Sequence, residues 1–600
     1  MIKALRLVLA LCLSLPAMLA PAAEPAKVLR YAFPIAETGF DPAQIDDLYS
    51  RTITAAIFES LYRYDHLARP VKVLPLIAAG MPEVASDFKT FTVRIKPGIY
   101  FAADPAFKGK PRELTAYDFV YSYKRFADPA LKSPGWSTFE EAGLLGLAAQ
   151  RDVALKGKKR FSYEQELEGL RALDRYTIQF KVEQARPRLV EMIMTGNDIV
   201  GAVASEVVEA YGDKINEHPV GTGPFKLDVW RRSSKIELAR NPDYRERFYD
   251  AEPAAGDAEA QALLAKFKGR RLPMLDRVEV DIIEEVQPRW LAFLNAEHDL
   301  LDRVPPDFIS QAMPNGKLAP NLAKRGVQAF RTVGADASLT VFNLEDPVIG
   351  GMAPARIALR RAISLGIDVA REISLVRRGQ AVPAQSPVLP HTSGYSADFK
   401  SEMGDYEPIR AKALLDLYGY IDRDGDGWRE QPDGEQLVLV RNTEPSNASR
   451  QMDELLLKNM RAIGLKLEFK TAKWPENMKS ARGGKYMIWF LGSNADSPDG
   501  LSALQRLYGP AIDGQNLSRF KNAEFDSLYE QMQGMADGPA REALFLQAKR
   551  LAVSYMPAKI HVHRLYTDLA HPWLLGYRRP LFWMDWWQYV DIDESKRKPK

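Results

Sequence analysis

One cysteine in 600 residues leaves almost no thiol chemistry, and that residue, Cys12, lies inside the apolar run at residues 7–19. Leu11 stands before it where a lipid-attachment cysteine needs a small residue, so no lipoprotein anchor is expected. Lys3 and Arg6 precede the run, and Ala20 and Ala22 follow it, which is the layout of a secretory signal peptide over residues 1–22. The run is shorter than the roughly 20 residues a spanning helix needs, and no later stretch reaches even that length. Cleavage near Ala22 leaves a soluble exported chain without a thiol. Disulfides, thiolate metal sites and cysteine nucleophiles are thereby excluded.

Charge of one sign is also lacking. The formal charge is +3, and loss of Lys3 and Arg6 brings it to +1, without the basic excess of a nucleic-acid binder. No internal repeat or low-complexity region occurs; the Ala-rich acidic stretch at 250–265 reads as a surface insertion with a short helix. Neither a phosphate loop, a dinucleotide G-x-G-x-x-G turn, an H-E-x-x-H helix nor a G-x-S-x-G elbow is present. Those absences disfavour an ATPase, a Rossmann enzyme, a zincin and a typical esterase. Of seven histidines, the close pair His561 and His563 points to one side of a strand but lacks a third metal ligand nearby.

Several segments do carry a signal. Asp422, Asp424, Asp426 and Gly427 match the first half of a calcium loop, with Asp433 where a bidentate Glu belongs at position twelve. The alternative is a Gly/Asp turn leading into a strand at Leu437. Trp583, Trp586 and Trp587 read as a packed edge of a core in preference to a binding platform. Trp136, in a Pro/Gly loop, either faces a cleft or packs its loop. At about 150 residues per domain the length allows up to four structural units.

Alternation predicts strands at 91–95, 278–282, 437–440 and 465–469. A helix is expected from Asp46 as N-cap, with Ile53, Ile57 and Leu61 on one face, another over 355–367, and a third carrying Leu456, Met460 and Ile463. Strands and helices interleave, so the fold class is α/β, or mixed α+β.

Read in order, the segments LRYAFPIAETGFDPAQ (29–44), IFESLYRYD (57–65), LTAYDFVYSYKRFADP (114–129), HPVGTGPFKL (218–227), ARNPDYRE (239–246), VFNLEDP (341–347) and ALRRAISLGID (358–368) resemble the family 5 extracellular solute-binding proteins. This is the group of the periplasmic oligopeptide- and dipeptide-binding proteins of ABC importers. The resemblance covers nearly all of the chain beyond the leader. It implies a two-lobed periplasmic binding protein with a hinge and an extra subdomain: lobe I from 23–68, 215–335 and 556–600, the subdomain from 69–214, and lobe II from 336–555. GTGPF is read as scaffold near the hinge, its Gly221 and Gly223 permitting backbone angles and close approach.

The resemblance further implies a peptide or peptide-like ligand held by its main chain as an added strand, an inner-membrane permease as partner, and a monomer. No enzymatic activity, cofactor, metal or nucleic acid is expected. By position, 35–40 and 492–501 match the two ligand-contacting strips. They supply Glu37, Thr38 and Phe40 on one side and Asn494, Asp496 and Asp499 on the other, with Trp136 and Trp489 completing the expected set. Peptide-binding members carry an Asp for the ligand ammonium where this chain has Asn494, and an amide cannot supply that counter-charge. A modified, acylated or cyclic peptide, or a non-peptide solute, is therefore expected, with Asp496 or Asp499 as the alternative counter-ion. A receptor for a non-peptide solute, a sensory binder without a permease and a secreted enzyme are the competing readings.

Overall fold

The structure, a computed structural model, describes residues 26–597. The leader and Cys12 lie outside the described residues. Three large hydrophobic cores organise the chain into three bodies. The first draws on residues 29–58, 225–300 and 570–592, the second on 61–215 and the third on 337–562. The class is mixed α/β. Among the described residues no helix is long and apolar enough to cross a membrane.

In the first body, strand Val28–Phe33 alternates half-buried and buried residues and pairs in parallel with Arg277–Ile282. The latter continues antiparallel through Lys235–Arg240 to Phe225–Arg231. Helix Leu48–Ile57 packs on this sheet. Its N-cap is Asp47, whose carboxylate accepts from the N–H groups of Tyr49 and Ser50, so the cap lies one residue beyond the expected Asp46. Leu61 falls past the helix end and joins the second core instead.

The GTGPF turn explains its glycines by close approach alone. A Cβ on Gly221 or Gly223 would sit 2.1 or 2.5 Å from the carbonyl oxygen of Ile57, and Gly223 donates its N–H to that same oxygen. Neither glycine has a positive φ.

The second body holds a four-stranded antiparallel sheet and helix Ala116–Ala127. The helix starts in a reciprocal capping box between Thr115 and Asp118 and buries Phe119, Tyr123 and Phe126 on one stripe.

In the third body, strand Asp336–Phe342 is buried along its whole length between Ile488–Asn494 and Ala558–Ala570. Its sequence, DASLTVF, alternates polar and apolar residues, yet all seven are buried because both faces are covered. Helix Pro354–Gly366, expected at 355–367, lies over the same core.

Strand Ala558–Ala570 connects two bodies. Its first half pairs with Asp336–Phe342 and its second half with Gln328–Val333. The chain thus crosses at Gly334 and Ala335 and again near Arg564, where Gly334 donates its N–H to the Arg564 carbonyl at 2.8 Å. Two neighbouring crossings form a hinge geometry.

Candidate functional site

A cavity of about 410 Å³ lies beside the two crossings, lined from the first body by Tyr31, Phe33, Asp46 and Tyr49 and from the third by Asp336, Asn494 and Asp496. Strand geometry explains the lining: Ile488–Asn494 pairs with Asp336–Phe342, placing Asn494 opposite Asp336 at the hinge end. The loop after the strand turns Asp496 toward the opening.

Tyr566 stands at the centre of the polar wall. The guanidiniums of Arg579, Arg303 and Arg564 lie 4.5, 4.7 and 5.6 Å from its ring centroid, a cation–π cluster. Its hydroxyl donates to Asp336. Burial, with the Asp336 charge beside it, pushes the phenol up to about 12, so it remains a donor at neutral pH.

Each guanidinium of the lining has a carboxylate. Arg579 contacts Asp302 at 2.6 Å and Asp568 at 2.5 Å, Arg564 contacts Asp336 at 3.2 Å, Arg51 contacts Asp198 at 2.7 Å, and Arg303 lies 3.7 Å from Asp302. Burial raises the Asp302 carboxyl, but Arg579 and Arg303 outweigh it and hold the group down at about 2.

Two carboxylates stand apart. Asp46 and Asp496 both line the cavity and have neither a hydrogen bond nor an ion pair among the described residues. Both act on Arg51, and Asp496 also on Arg506, through longer-range charge without direct contact. The unsatisfied charge of the cavity is therefore negative, and it comes from both sides of the opening.

Of the residues expected from sequence, Asn494 and Asp496 line this cavity. The Asn494 carboxamide oxygen is already taken by Arg564 at 2.7 Å, whereas Asp496 is free. The other six do not line this cavity and make contacts elsewhere. Glu37 is buried and accepts from Trp230 Nε1 and Ser233 N, because a buried carboxylate needs donors. Thr38 donates to Asp47, and Phe40 packs on the Trp230 ring.

Trp136 opens helix Trp136–Ala142 instead of sitting in a loop, and Arg151 covers its ring at 4.8 Å. Trp489 is in the third core. Both carboxylate oxygens of Asp499 accept from Arg541 Nη2 at 3.0 Å, and Asp499 also pairs with Arg188.

Several cavity residues were missed by sequence reasoning. Asp46 was assigned as a cap, and Arg303, Arg564 and Arg579 carry no local motif. The aromatic tail did offer a signal: Trp583 and Trp586 are nearly buried, as the packing reading expects, yet both also line the cavity.

His561 and His563 do not form a pair site. His561 bridges Glu372 and Thr340, while His563 donates Nδ1–H to the Asp336 carbonyl. Asp422, Asp424, Asp426 and Glu430 do converge, their ligand atoms within 4.8 Å of one another. Their carboxylates accept N–H groups of the same turn, from Gly425, Gly427, Asp426, Trp428 and Arg423. Asp433 lies outside the group and takes Glu435 N. These contacts are those of an Asp/Gly turn.

With this geometry in place, comparison with known proteins gives a consistent result. Residues 72–515 match the bacterial extracellular solute-binding proteins, family 5, middle region. Di/tripeptide-binding protein 2 of Pseudomonas aeruginosa is 25% identical over 564 residues, covering 92% of each chain. Heme-binding protein A of Haemophilus influenzae is 23% identical over 570 residues, covering 93% of this chain and 91% of its own. Among solved structures, the ABC transporter-associated periplasmic binding protein DppA from Helicobacter pylori, in complex with peptide STSA, superposes with a TM-score of 0.68. Its identity is 22%, over 94% of this chain and 98% of its own.

Proposed function

This chain belongs to the family 5 bacterial extracellular solute-binding proteins, which bind their solutes and are not enzymes, and we propose that it is the periplasmic receptor of an ABC importer for a short peptide or peptide-like solute bearing a free ammonium group. The observation that carries this reading is the pair of partnerless carboxylates, Asp46 and Asp496, facing one cavity from two bodies. An ammonium placed between them gains its full set of acceptors only when the bodies come together about the crossings at Gly334 and Arg564. The relatives whose names specify di- and tripeptides, and the neighbour holding the peptide STSA, support the same solute class.

A cavity of about 410 Å³ falls near the lower end of the roughly 300–1,000 Å³ typical of small-molecule sites, which favours a short ligand over a long oligopeptide. Asn494 does not force a neutral ligand end, because its carboxamide belongs to Arg564 and Asp496 supplies the charge. The receptor acts as a monomer, released from its leader near Ala22, and its closed form is what the inner-membrane permease receives.

Calorimetry with alanyl-alanine and N-acetyl-alanyl-alanine on wild type, Asp496→Asn and Asp46→Asn tests the reading. A charge-assisted hydrogen bond contributes about 1.5–3 kcal/mol, so acetylation and Asp496→Asn are each expected to weaken binding by roughly 10- to 150-fold. Equal affinity for both peptides, unchanged by Asp496→Asn, would contradict it.

A further inference from the structure

A second charged junction joins the bodies away from the cavity, at the rim where the second body meets the third. Arg188 begins helix Leu189–Ile193 in the second body. Its guanidinium reaches Asp537 at 2.5 Å and Asp499 at 3.0 Å, both in the third body. Arg188 and Asp499 are each only 16% exposed as side chains, so this pair is largely withdrawn from water.

The receiving side is built and rigid. Arg541, fully buried, holds both oxygens of Asp499 at 3.0 Å and Asp537 at 2.8 Å, and donates to Ser393 Oγ and to the Met532 carbonyl. Ser393 in turn donates its N–H to Pro498 O, and Gly394 is tied to Glu542 and Lys549. A Cβ on Gly500 would lie 2.1 Å from Ser393 O, so the two loops are in close contact.

This cradle presents two carboxylates against one guanidinium of its own body. Arg188 supplies the second positive charge to these two carboxylates when the bodies are together, with Glu191 of its own body close enough to act on it as well.

We propose that Arg188 and the Asp499–Arg541–Asp537 cradle form a latch that draws the second and third bodies together without ligand, so that Arg188 sets ligand affinity while touching no ligand. The physical reason is preorganisation. Both carboxylates are already fixed by Arg541, so docking of Arg188 orders one side chain only, and the cost of closing falls correspondingly. The Arg188 Nη1 hydrogen bond to Asp537 is directional, with Asp499 close by as a second counter-charge, which favours one closed arrangement over looser ones. Any ligand that prefers the closed form then binds more tightly by the factor through which the latch raises the closed population.

The test uses the unliganded protein without its leader, which has no cysteine of its own, and does not depend on what the cavity accepts. Spin labels at Lys156→Cys and Leu417→Cys, both highly exposed and on the second and third bodies, report the inter-body distance by double electron–electron resonance. The closed fraction is expected to fall in the order Arg188, Arg188→Lys, Arg188→Gln, Arg188→Glu, with the closed-to-open ratio dropping about tenfold by Arg188→Gln. Thermal melting of the same variants identifies any that fail to fold, and Asp537→Asn tests the latch from the other side. Equal distance distributions across the folded variants would overturn the proposal, as would a graded loss that Asp537→Asn fails to reproduce.

Discussion

Asp496 and Asp499 stand three residues apart in one loop and serve opposite ends. Asp496 lines the cavity with no partner of its own, whereas Asp499 is enclosed by Arg541 and Arg188. Both regions lie between bodies and both are rich in charge. Their difference lies in what completes them: the rim is balanced by a residue of this chain, and the cavity is left negative. An incomplete charge set marks where a ligand belongs, and a complete one marks where the protein holds itself together.

The largest expected effect breaks the completed side. Arg541→Met leaves Asp499 and Asp537 without their buried counter-charge, and removing one partner of a buried pair typically destabilises by about 3–5 kcal/mol. Urea unfolding followed by far-UV circular dichroism reads it. A loss under about 1 kcal/mol would place the cradle among weak surface pairs.

Asp585 sharpens the comparison as a third kind of carboxylate, buried with amide donors only. It accepts from Asn197 Nδ2 at 3.2 Å and Gln588 Nε2 at 2.9 Å. Burial pushes it from the ordinary 3.8 up to about 6, against the opposing charges of Arg63 and Arg247. The folded state therefore holds this proton more tightly than the unfolded chain does. Its contribution to stability is complete below about pH 4 and is lost as pH rises through about 6, a decline of about 3 kcal/mol. Asp585→Asn is expected to remove that decline, so its melting temperature relative to wild type should improve from pH 4 to pH 7. A constant difference across that range would show that Asp585 does not titrate there.

The smallest effects belong to residues the sequence assigned to ligand but the fold uses elsewhere. Trp136→Ala and Thr38→Val are expected to leave peptide affinity within about twofold, since neither side chain reaches the cavity. A change beyond about tenfold in either, measured by calorimetry, would return that residue to the ligand set.

How far the sequence carried is visible in single residues. Helix Pro354–Gly366 was placed to within one residue because its apolar period and its neighbouring Pro and Gly are local signals. Asp46 and Asp47 are adjacent, and pattern alone does not say which caps the helix; the structure uses Asp47, which frees Asp46 for the cavity. The strip 492–501 was read as a whole, and its division into a lining residue and a latch residue depends on Arg188, a partner far away in sequence. Likewise Arg303, Arg564 and Arg579 meet on Tyr566 only because strand Ala558–Ala570 spans two bodies. Non-local pairing of this kind leaves no periodicity to read. Trp586 belongs to the first core and Trp583 packs against Tyr64 and Arg69, yet both also line the cavity, so the packing and cavity readings hold at once.

The central claim, that the cavity takes a solute bearing a free ammonium, is tested most directly by native mass spectrometry of the protein purified from the periplasm. Denaturing release of whatever it carries, followed by reductive dimethylation to mark amines, identifies the bound group without a list of candidates. The account predicts a one-to-one complex whose released solute is peptide-like and takes up the amine label. A one-to-one complex with a solute that contains no reactive amine would contradict it.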